Sequence, residues 1–306
     1  MEIYLPIAEQ SMNVFLLFAL GAGAGLLAGM FGVGGGFLAT PLLIFVGIPP
    51  AVAVASQANQ VVANSVSSLQ VQWRRGNVDL RMGLVLLLGG MIGSSAGVTL
   101  FTYLKSIGQI DFVIAVLYVV LLSSIGVLML YESASTWFKR RRNPTAPRGK
   151  LHTHYLVHRL PWKMRFYKSK LYISAFLPIT LGFAIGILSA ILGVGGGFVL
   201  VPAMVYLLRM PAGVVVGTSL FQIIITTSLT SVLQAGRNQT VDVVLATMLL
   251  AGGVLGAQFG ARASMRFRAE ELRALLALIV LVVGLKMGLD LFIRPEDPFV
   301  LIAGGG

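Results

Sequence analysis

The stretch Gly32-Val33-Gly34-Gly35-Gly36-Phe37, GVGGGF, occurs a second time, letter for letter, at Gly193–Phe198. Both copies interrupt apolar runs, and four residues beyond each stands a proline, Pro41 or Pro202. Glycine and proline both disfavour continuous helix, so the chain breaks itself twice in the same way. The 161-residue offset that relates the copies also pairs Pro50 with Pro211. An offset of 163 pairs Asp79 with Asp242, Gly89-Gly90 with Gly252-Gly253, Gly93 with Gly256 and Gly97 with Gly260. The chain is an internal duplication.

The solvent in which it breaks is set by composition. Of 306 residues 57% are hydrophobic and 11% charged, and the mean hydropathy is +0.88, too apolar for a water-soluble globule. The expected class is an all-α polytopic membrane protein. Runs long enough to cross about 30 Å of hydrocarbon lie near 11–30, 51–73, 82–104, 110–131, 171–191, 212–236, 241–261 and 273–293. Leu38–Ile48 and Val199–Leu208 follow the GVGGGF copies, are too short to cross, and read as half-helices. Met1–Gln10 carries Glu2 and Glu9 and no basic region, so the first apolar run is expected to be retained as a helix.

The net charge of +12 is concentrated: Lys139–Lys170 gathers about half of the Lys and Arg and all three His. Basic loops stay in the cytoplasm and touch anionic lipid, which weighs against nucleic acid as the partner. Three parts follow: a first membrane repeat at 1–131, a basic cytoplasmic loop at 132–170 that joins the copies, and a second repeat at 171–306. There is no cysteine, hence no disulfide and no thiolate metal site.

Each repeat holds a long helix, a break with its short piece, and three more spans. If break and short piece fold back as a re-entrant hairpin, the passes per repeat are odd, and odd repeats insert upside down relative to one another. Fixing the basic loop inside puts Arg74, Arg75, Arg81, Arg209, Arg262, Arg266 and Arg268 inside as well, with Lys105, Arg237 and both termini outside.

Irregular backbone survives in hydrocarbon only where protein or a water-filled cavity surrounds it. Two breaks facing each other would define a site near the midplane, with half-helix N-termini aimed at an anion. The candidate binding residues at the breaks are Gly34, Gly35, Gly36 and Phe37 in one half and Gly195, Gly196, Gly197 and Phe198 in the other. Glycines such as Gly21, Gly23, Gly25, Gly29, Gly90, Gly93 and Gly97 read instead as close helix packing.

Polar side chains inside the spans give the second signal. The helix after Pro50 carries Gln57, Asn59, Gln60, Asn64, Ser65 and Ser68, of which Gln57, Gln60, Asn64 and Ser68 share one face. Thr218, Ser219, Gln222 and Thr226 fall on one arc of its mate. Gln57, Asn59, Gln60, Thr218, Ser219 and Gln222 are the candidate side-chain donors, with interhelical hydrogen bonding as the other use of the same groups. Asp79, Asp111 and Asp242 begin helices and read as caps. Lys286 and Asp290, four apart, read as a local ion pair. No His or Cys lies in a span and no HExxH occurs, so catalysis has no constellation to rest on, and neither cofactor nor metal is implied.

The segments GMFGVGGGFLATPLL and SAILGVGGGFVLVPAMV, the latter followed by PAGVVVGTSLFQ, resemble the duplicated signature of the sulfite exporter TauE/SafE family, also called the toluene sulfonate uptake permease family. The resemblance covers both halves and leaves out the loop. It implies a transporter of small sulfur-containing or carboxylated anions, such as sulfite, sulfoacetate or related sulfonates, in the bacterial inner membrane. The expected partners are that anion and the lipid bilayer; proton or other ion coupling, the oligomeric state and the identity of the anion stay open. ASQANQ stands where the second half has VGTSLF, so the two sides of the cavity are expected to be chemically unequal. A passive anion channel and a membrane scaffold acting through the basic loop are the alternatives.

Overall fold

A computed structural model describes residues 2–31, 36–142, 162–169, 171–208, 210–263 and 269–292; for Phe31, 132–142, Lys163, Ala212, Ala261, 269–274 and Phe292 it describes the backbone alone. The first half runs β1 (Glu2–Leu5), β2 (Gln10–Asn13), α1 (Val14–Phe31), α2 (Gly36–Phe45), α3 (Pro50–Arg74), α4 (Leu80–Ser106) and α5 (Ile110–Arg142). The second repeats it as β3 (Lys163–Phe166), β4 (Leu171–Ser174), α6 (Phe176–Leu192), α7 (Gly197–Tyr206), α8 (Ala212–Leu233) with a π-helical turn at Gln234–Asn238, α9 (Val243–Ala263) and α10 (Ala269–Phe292). This is a multi-pass helical membrane protein.

Among the described residues, four helices are long and apolar enough to cross a bilayer: Leu80–Ser106, Ile110–Tyr131, Gly213–Asn238 and Val243–Gly260. With 25 residues α3 has the length, but its amides and hydroxyls lower its apolarity. The half-helices α2 and α7 have ten residues each, about 15 Å at 1.5 Å per residue and half the hydrocarbon thickness. The helical backbone of α5 runs past Tyr131 to Arg142, through the compositional boundary.

Two elements depart from an all-α reading. Each half opens on a two-stranded antiparallel hairpin, Leu5 pairing Gln10 and Phe166 pairing Leu171 at the turns. These registers keep the 161-residue offset, so the second copy begins inside what composition assigns to the basic loop.

The packing exchanges partners between halves. α1 lies along α9 and α4 along α6, while α5 lies along α10 and α3 against α8. Glycine makes the first two pairings close. A Cβ on Gly25 would strike the Gly253 carbonyl, one on Gly256 the Ala22 carbonyl, and one on Gly93 the Phe183 carbonyl. A Cβ on Gly97 would come within 2.7 Å of Ala190 Cβ. Lipid tails are as apolar as leucine, so this backbone-to-backbone approach, with its dispersion contacts, holds membrane helices together. Gly21 is packed in the same way, against Leu249; Gly90 instead makes room for the Gln222 and Thr226 side chains of α8, and Gly23 faces open space.

The helix-initial carboxylates reach across the molecule. Asp79 Oδ1 accepts the Met82 N–H of its own helix α4 at 3.2 Å, and Oδ2 accepts the Ser169 N–H at 2.9 Å and hydroxyl at 2.6 Å from the second hairpin's turn. Asp242 Oδ1 accepts Val244 and Leu245 N–H of α9 at 3.0 Å, and Oδ2 accepts the Ile7 N–H of the first hairpin's turn at 2.9 Å. Each aspartate thus caps a helix in one half and clasps the hairpin of the other. Asp111 caps a different helix from its own: its Oδ1 accepts Ala51 N–H, in the first turn of α3, at 3.0 Å.

Lys286 does not pair with Asp290 among the described residues. Its ammonium lies 4.1 Å from the centroid of the Phe45 ring at the end of α2, a cation–π contact.

Candidate functional site: the meeting of the two breaks

Gly36 and Phe37, the described end of the first GVGGGF copy, meet the second copy. The Phe37 and Phe198 rings stack with centroids 4.1 Å apart and planes 7° from parallel, both buried. A Cβ built on Gly36 would lie 3.1 Å from Val194 Cα and 2.5 Å from Val61 Cγ2, while one on Gly195 would lie 2.5 Å from Val61 Cγ1. Val61 of α3 therefore packs against Gly36 of the first stretch and Gly195 of the second, beside their direct contact.

In the second break Gly193, Gly195 and Gly196 have φ of +67°, +69° and +74°. That conformation suits glycine, and here there is also no room for a side chain: a Cβ on Gly195 would come within 3.0 Å of Thr227 Oγ1 and of Ile223 Cγ2. The carbonyls freed at the end of α6 are collected by side chains from elsewhere. Tyr118 of α5 donates its hydroxyl to Leu192 O at 2.6 Å, and Gln234 Nε2 donates to Ala190 O at 3.3 Å. By contrast α7 starts at Gly196 with no side-chain cap. Its first N–H groups have no partner within the helix, as at any helix start.

α3 and α8 flank the breaks and carry the amides. The peptide N–H of Asp79 donates to Thr218 Oγ1 at 3.0 Å, and that of Asp242 donates to Ser56 Oγ at 2.9 Å. Ser56 and Thr218 are therefore counterparts, an offset of 162 rather than the 161 that aligns ASQANQ with VGTSLF. The same register sets Gln57 against Ser219, Gln60 against Gln222, Asn64 against Thr226 and Ser65 against Thr227. The two sides are chemically closer than the alignment of Pro50 with Pro211 implies.

The expected site residues divide into three groups. Gly34 and Gly35 lie outside the described residues. Asn59, Thr218 and Ser219 are occupied: Asn59 Oδ1 accepts the Ser231 hydroxyl at 2.7 Å, Thr218 holds Asp79, and Ser219 donates to Val216 O at 3.0 Å. Gln57, Gln60 and Gln222, fully buried on α3 and α8, keep atoms without a hydrogen-bond partner in the protein, Gln60 lying against Gly253 and Gln222 against Gly90; Gly36, Phe37, Gly197 and Phe198 are buried as well. Both amide atoms of Gln57 and of Gln222 are unpartnered; Gln60 donates Nε2 to Gly21 O at 2.9 Å and leaves Oε1.

Four further buried residues belong with them. Both amide atoms of Asn64 and the hydroxyls of Ser65, Ser189 and Thr227 are likewise unpartnered, with Thr227 against Gly195 and Ser189 Cβ 3.7 Å from a Cβ on Gly196. Asn64 and Ser65 stand out in the sequence as polar residues in a span. Ser189 and Thr227 do not, since a lone hydroxyl usually bonds its own helix. A buried polar group left unpaired costs about 1–3 kcal/mol, so this concentration calls for a partner from outside the protein. The group is composed of amides and hydroxyls, and none of these side chains is charged.

Comparison with known proteins agrees with this architecture. A family profile described as "Sulfite exporter TauE/SafE" matches residues 17–287. "Probable membrane transporter protein YjnA" of Bacillus subtilis (strain 168) is 28% identical over 284 residues, covering 91% of this chain and 100% of the relative. A "Probable membrane transporter protein" of Xylella fastidiosa (strain 9a5c) is 31% identical over 278 residues, covering 88% and 94%. "Probable membrane transporter protein YunE" of Bacillus subtilis (strain 168) is 24% identical over 287 residues, covering 90% and 97%. No solved structure gives a significant match. With a matched profile that runs from α1 into α10 and takes in both breaks, the chain belongs to the sulfite exporter TauE/SafE family, a family of membrane transporters.

Proposed function

We propose that the protein is a secondary transporter that carries a small sulfur-containing anion, sulfite or an organic sulfonate, across the bacterial inner membrane by alternating access. The observation that carries this reading is the set of unpartnered, buried amides and hydroxyls on α3, α6 and α8, the helices around the two breaks, with Thr227 and Ser189 directly beside the second. An oxyanion offers several acceptor atoms to Gln57 and Gln222 Nε2, Asn64 Nδ2 and the hydroxyls of Ser65, Ser189 and Thr227. The N–H groups at the start of α7, with the positive end of its dipole, add to the same field. The N–H groups at the start of α2, Gly36 and Phe37, would do the same from the first half. In a water-poor interior such neutral donors hold an anion strongly without burying a fixed charge that would be costly in its absence.

The two halves insert with opposite orientation, and each break with its half-helix forms a re-entrant hairpin. Gln10 Nε2, just before α1, donates to Gly47 O, just after α2, at 3.0 Å, which supports a return of α2 to the side where α1 began. Asp242 and Asp111 belong to that end as well, through Ile7 and Ala51. The other end carries Arg74, Arg75, Arg81, Arg165, Lys168 and Arg262, the composition of a cytoplasmic face. The basic loop is then cytoplasmic and the β1–β2 hairpin outside. Export is the favoured direction, because an inside-negative potential drives an anion outward by about 2.3 kcal/mol per charge per 100 mV.

The test is counterion-dependent flux of sulfite, sulfonates and carboxylates in proteoliposomes, with Gln57→Met and Gln222→Met as variants. Saturable flux of a sulfur anion, lost in the variants while the protein stays folded, supports the reading. Flux that rises without saturation makes it a channel. Flux untouched by both variants puts the substrate elsewhere.

A further inference from the structure

The register that matches Ser56 with Thr218 carries the last turns of α3 onto those of α8, setting Gln72 against Gln234 and Gly76 against Asn238. These two ends are built differently. At the end of α8 the helix widens into the π turn, and its side chains turn inward to neighbouring helices. Asn238 Nδ2 donates to Gln234 Oε1 at 2.5 Å, and Gln234 Nε2 donates to Ala190 O beside the break. The Thr102 hydroxyl of α4 lies 2.8 Å from Asn238 Oδ1, and Lys105 Nζ donates to Asn238 O at 2.7 Å. Gln234 is 0% exposed and Asn238 6%. A continuous hydrogen-bonded chain thus runs from Lys105 at one end of the bundle to the carbonyl end of α6.

The end of α3 has no such chain. Gln72 is half-buried and its carbonyl accepts from Asn77 of the following loop at 3.0 Å, while exposed Gly76 has its carbonyl against Lys168 Nζ at 3.3 Å. Among the described residues neither is bonded to a neighbouring helix. One turn nearer the breaks the contrast persists: Ser68 is half-buried, whereas its counterpart Thr230 is buried and bonded to Ser94.

We infer that the π turn Gln234–Asn238 is the latch of the outer gate, and that the conformation described is closed outward and opens toward the basic, inner end. This rests on the transporter reading above. A pseudo-symmetric carrier alternates by exchanging the conformations of its halves, so its two gates are compared within one structure; here the end of α8 is bonded to α4 and α6, while the matching end of α3 is bonded to no neighbouring helix among the described residues. π turns are rare, and those that occur inside α-helices are frequently at functional positions. In the opposite state Gln72 takes the part of Gln234, donating toward the Gly29 carbonyl, the counterpart of Ala190. Gly76 offers no side chain to reinforce it, so the inner gate is the weaker of the two.

The absence of cysteine makes the test direct. Thr230→Cys and Ser68→Cys are each introduced alone, and their reaction with a membrane-impermeant methanethiosulfonate is timed in right-side-out and inside-out vesicles. Ser68→Cys is expected to react from the inner side and Thr230→Cys to resist the outer. Adding Asn238→Ala is expected to speed outer reaction at Thr230→Cys about tenfold, the scale of one or two lost hydrogen bonds, and Lys105→Met to speed it less. Rapid outer labelling of Thr230→Cys with the latch intact, or rates unmoved by both latch variants, overturns the inference. Should Asn238→Ala fail to fold, Lys105→Met, which alters one partly exposed contact, decides. Parallel flux separates the two ideas: altered labelling in a protein that moves no anion refutes transport and leaves the latch standing, whereas flux with unaltered labelling refutes the latch.

Discussion

Asp79 and Asp242 perform the same task in the two halves, each capping its helix, holding the opposite hairpin and giving its N–H to a hydroxyl on the opposite half. Gln60 and Gln222 also correspond, yet Gln60 is tied to Gly21 O while Gln222 bonds nothing, and opposite Gln57 stands Ser219. The duplication is thus kept at the aspartate clasps and relaxed between them. The clasps at the ends meet the same backbone geometry in both halves, so the same residue serves. For the sulfonate proposed above, which has one polar head and one different face, an unequal lining would be the suitable one.

The comparison can be broken most severely at Gly195. Gly195→Val adds a branched side chain at φ +69° against Val61, Ile223 and Thr227, and is expected to abolish flux and sharply reduce the yield of folded protein. Wild-type flux from this variant would remove the breaks from the mechanism.

The matched ends come next. Asp79→Asn and Asp242→Asn should each lower stability by about 2 kcal/mol, the scale of charge-assisted hydrogen bonds lost to backbone donors. Their effects should be similar and additive, since the sites are far apart. Thermal unfolding in detergent measures both; a large inequality would mean that the clasps are equivalent in form only.

The middle gives the opposite sign. Gln57→Met and Gln222→Met remove buried groups with no partner, so they should leave stability unchanged or raise it by about 1 kcal/mol while eliminating flux. Gln60→Met should destabilise by about 1 kcal/mol through loss of the Gly21 bond. If all three behave alike, the distinction between tied and free amides has no energetic content.

The smallest effect is expected from Tyr118→Phe. It leaves the Leu192 carbonyl without its hydroxyl donor and should cost about 1 kcal/mol, read as a lower midpoint in the same unfolding assay.

How much of this could be read from the chain follows from the range of each signal. Spans, breaks and half-helices are local, and the helices found at Pro50–Arg74 and Leu80–Ser106 lie within a few residues of the apolar runs. The hairpins are short, carry no alternation strong enough to register beside the helices, and depend on clasps from residues far away in sequence. Capping by Asp79 and Asp242 was legible from position; that Asp111 caps α3 instead of α5 was not, because the partner is 60 residues away. Lys286 reads as an ion pair because Asp290 is its neighbour in sequence, but Phe45 is its neighbour in space. For the site, Gln57, Gln60 and Gln222 announce themselves as amides in an apolar run. Whether an amide is spent on the protein, as Asn59 is, depends on what the opposite half presents.

The clasp between Asp242 and Ile7 also sets an order of events in synthesis. Its two partners are 235 residues apart, and ribosomes add roughly 5–20 residues per second, so the first hairpin waits on the order of 10–50 s for its carboxylate. The second hairpin, following Asp79 in the chain, finds its carboxylate already made. One end of the protein can therefore be assembled as it emerges, and the other is finished only when α9 arrives. During that interval the first half is an unfinished client in the membrane, exposed to insertion chaperones and proteases. Substitutions at Asp242 should accordingly reduce cellular abundance more than their equilibrium cost alone would suggest.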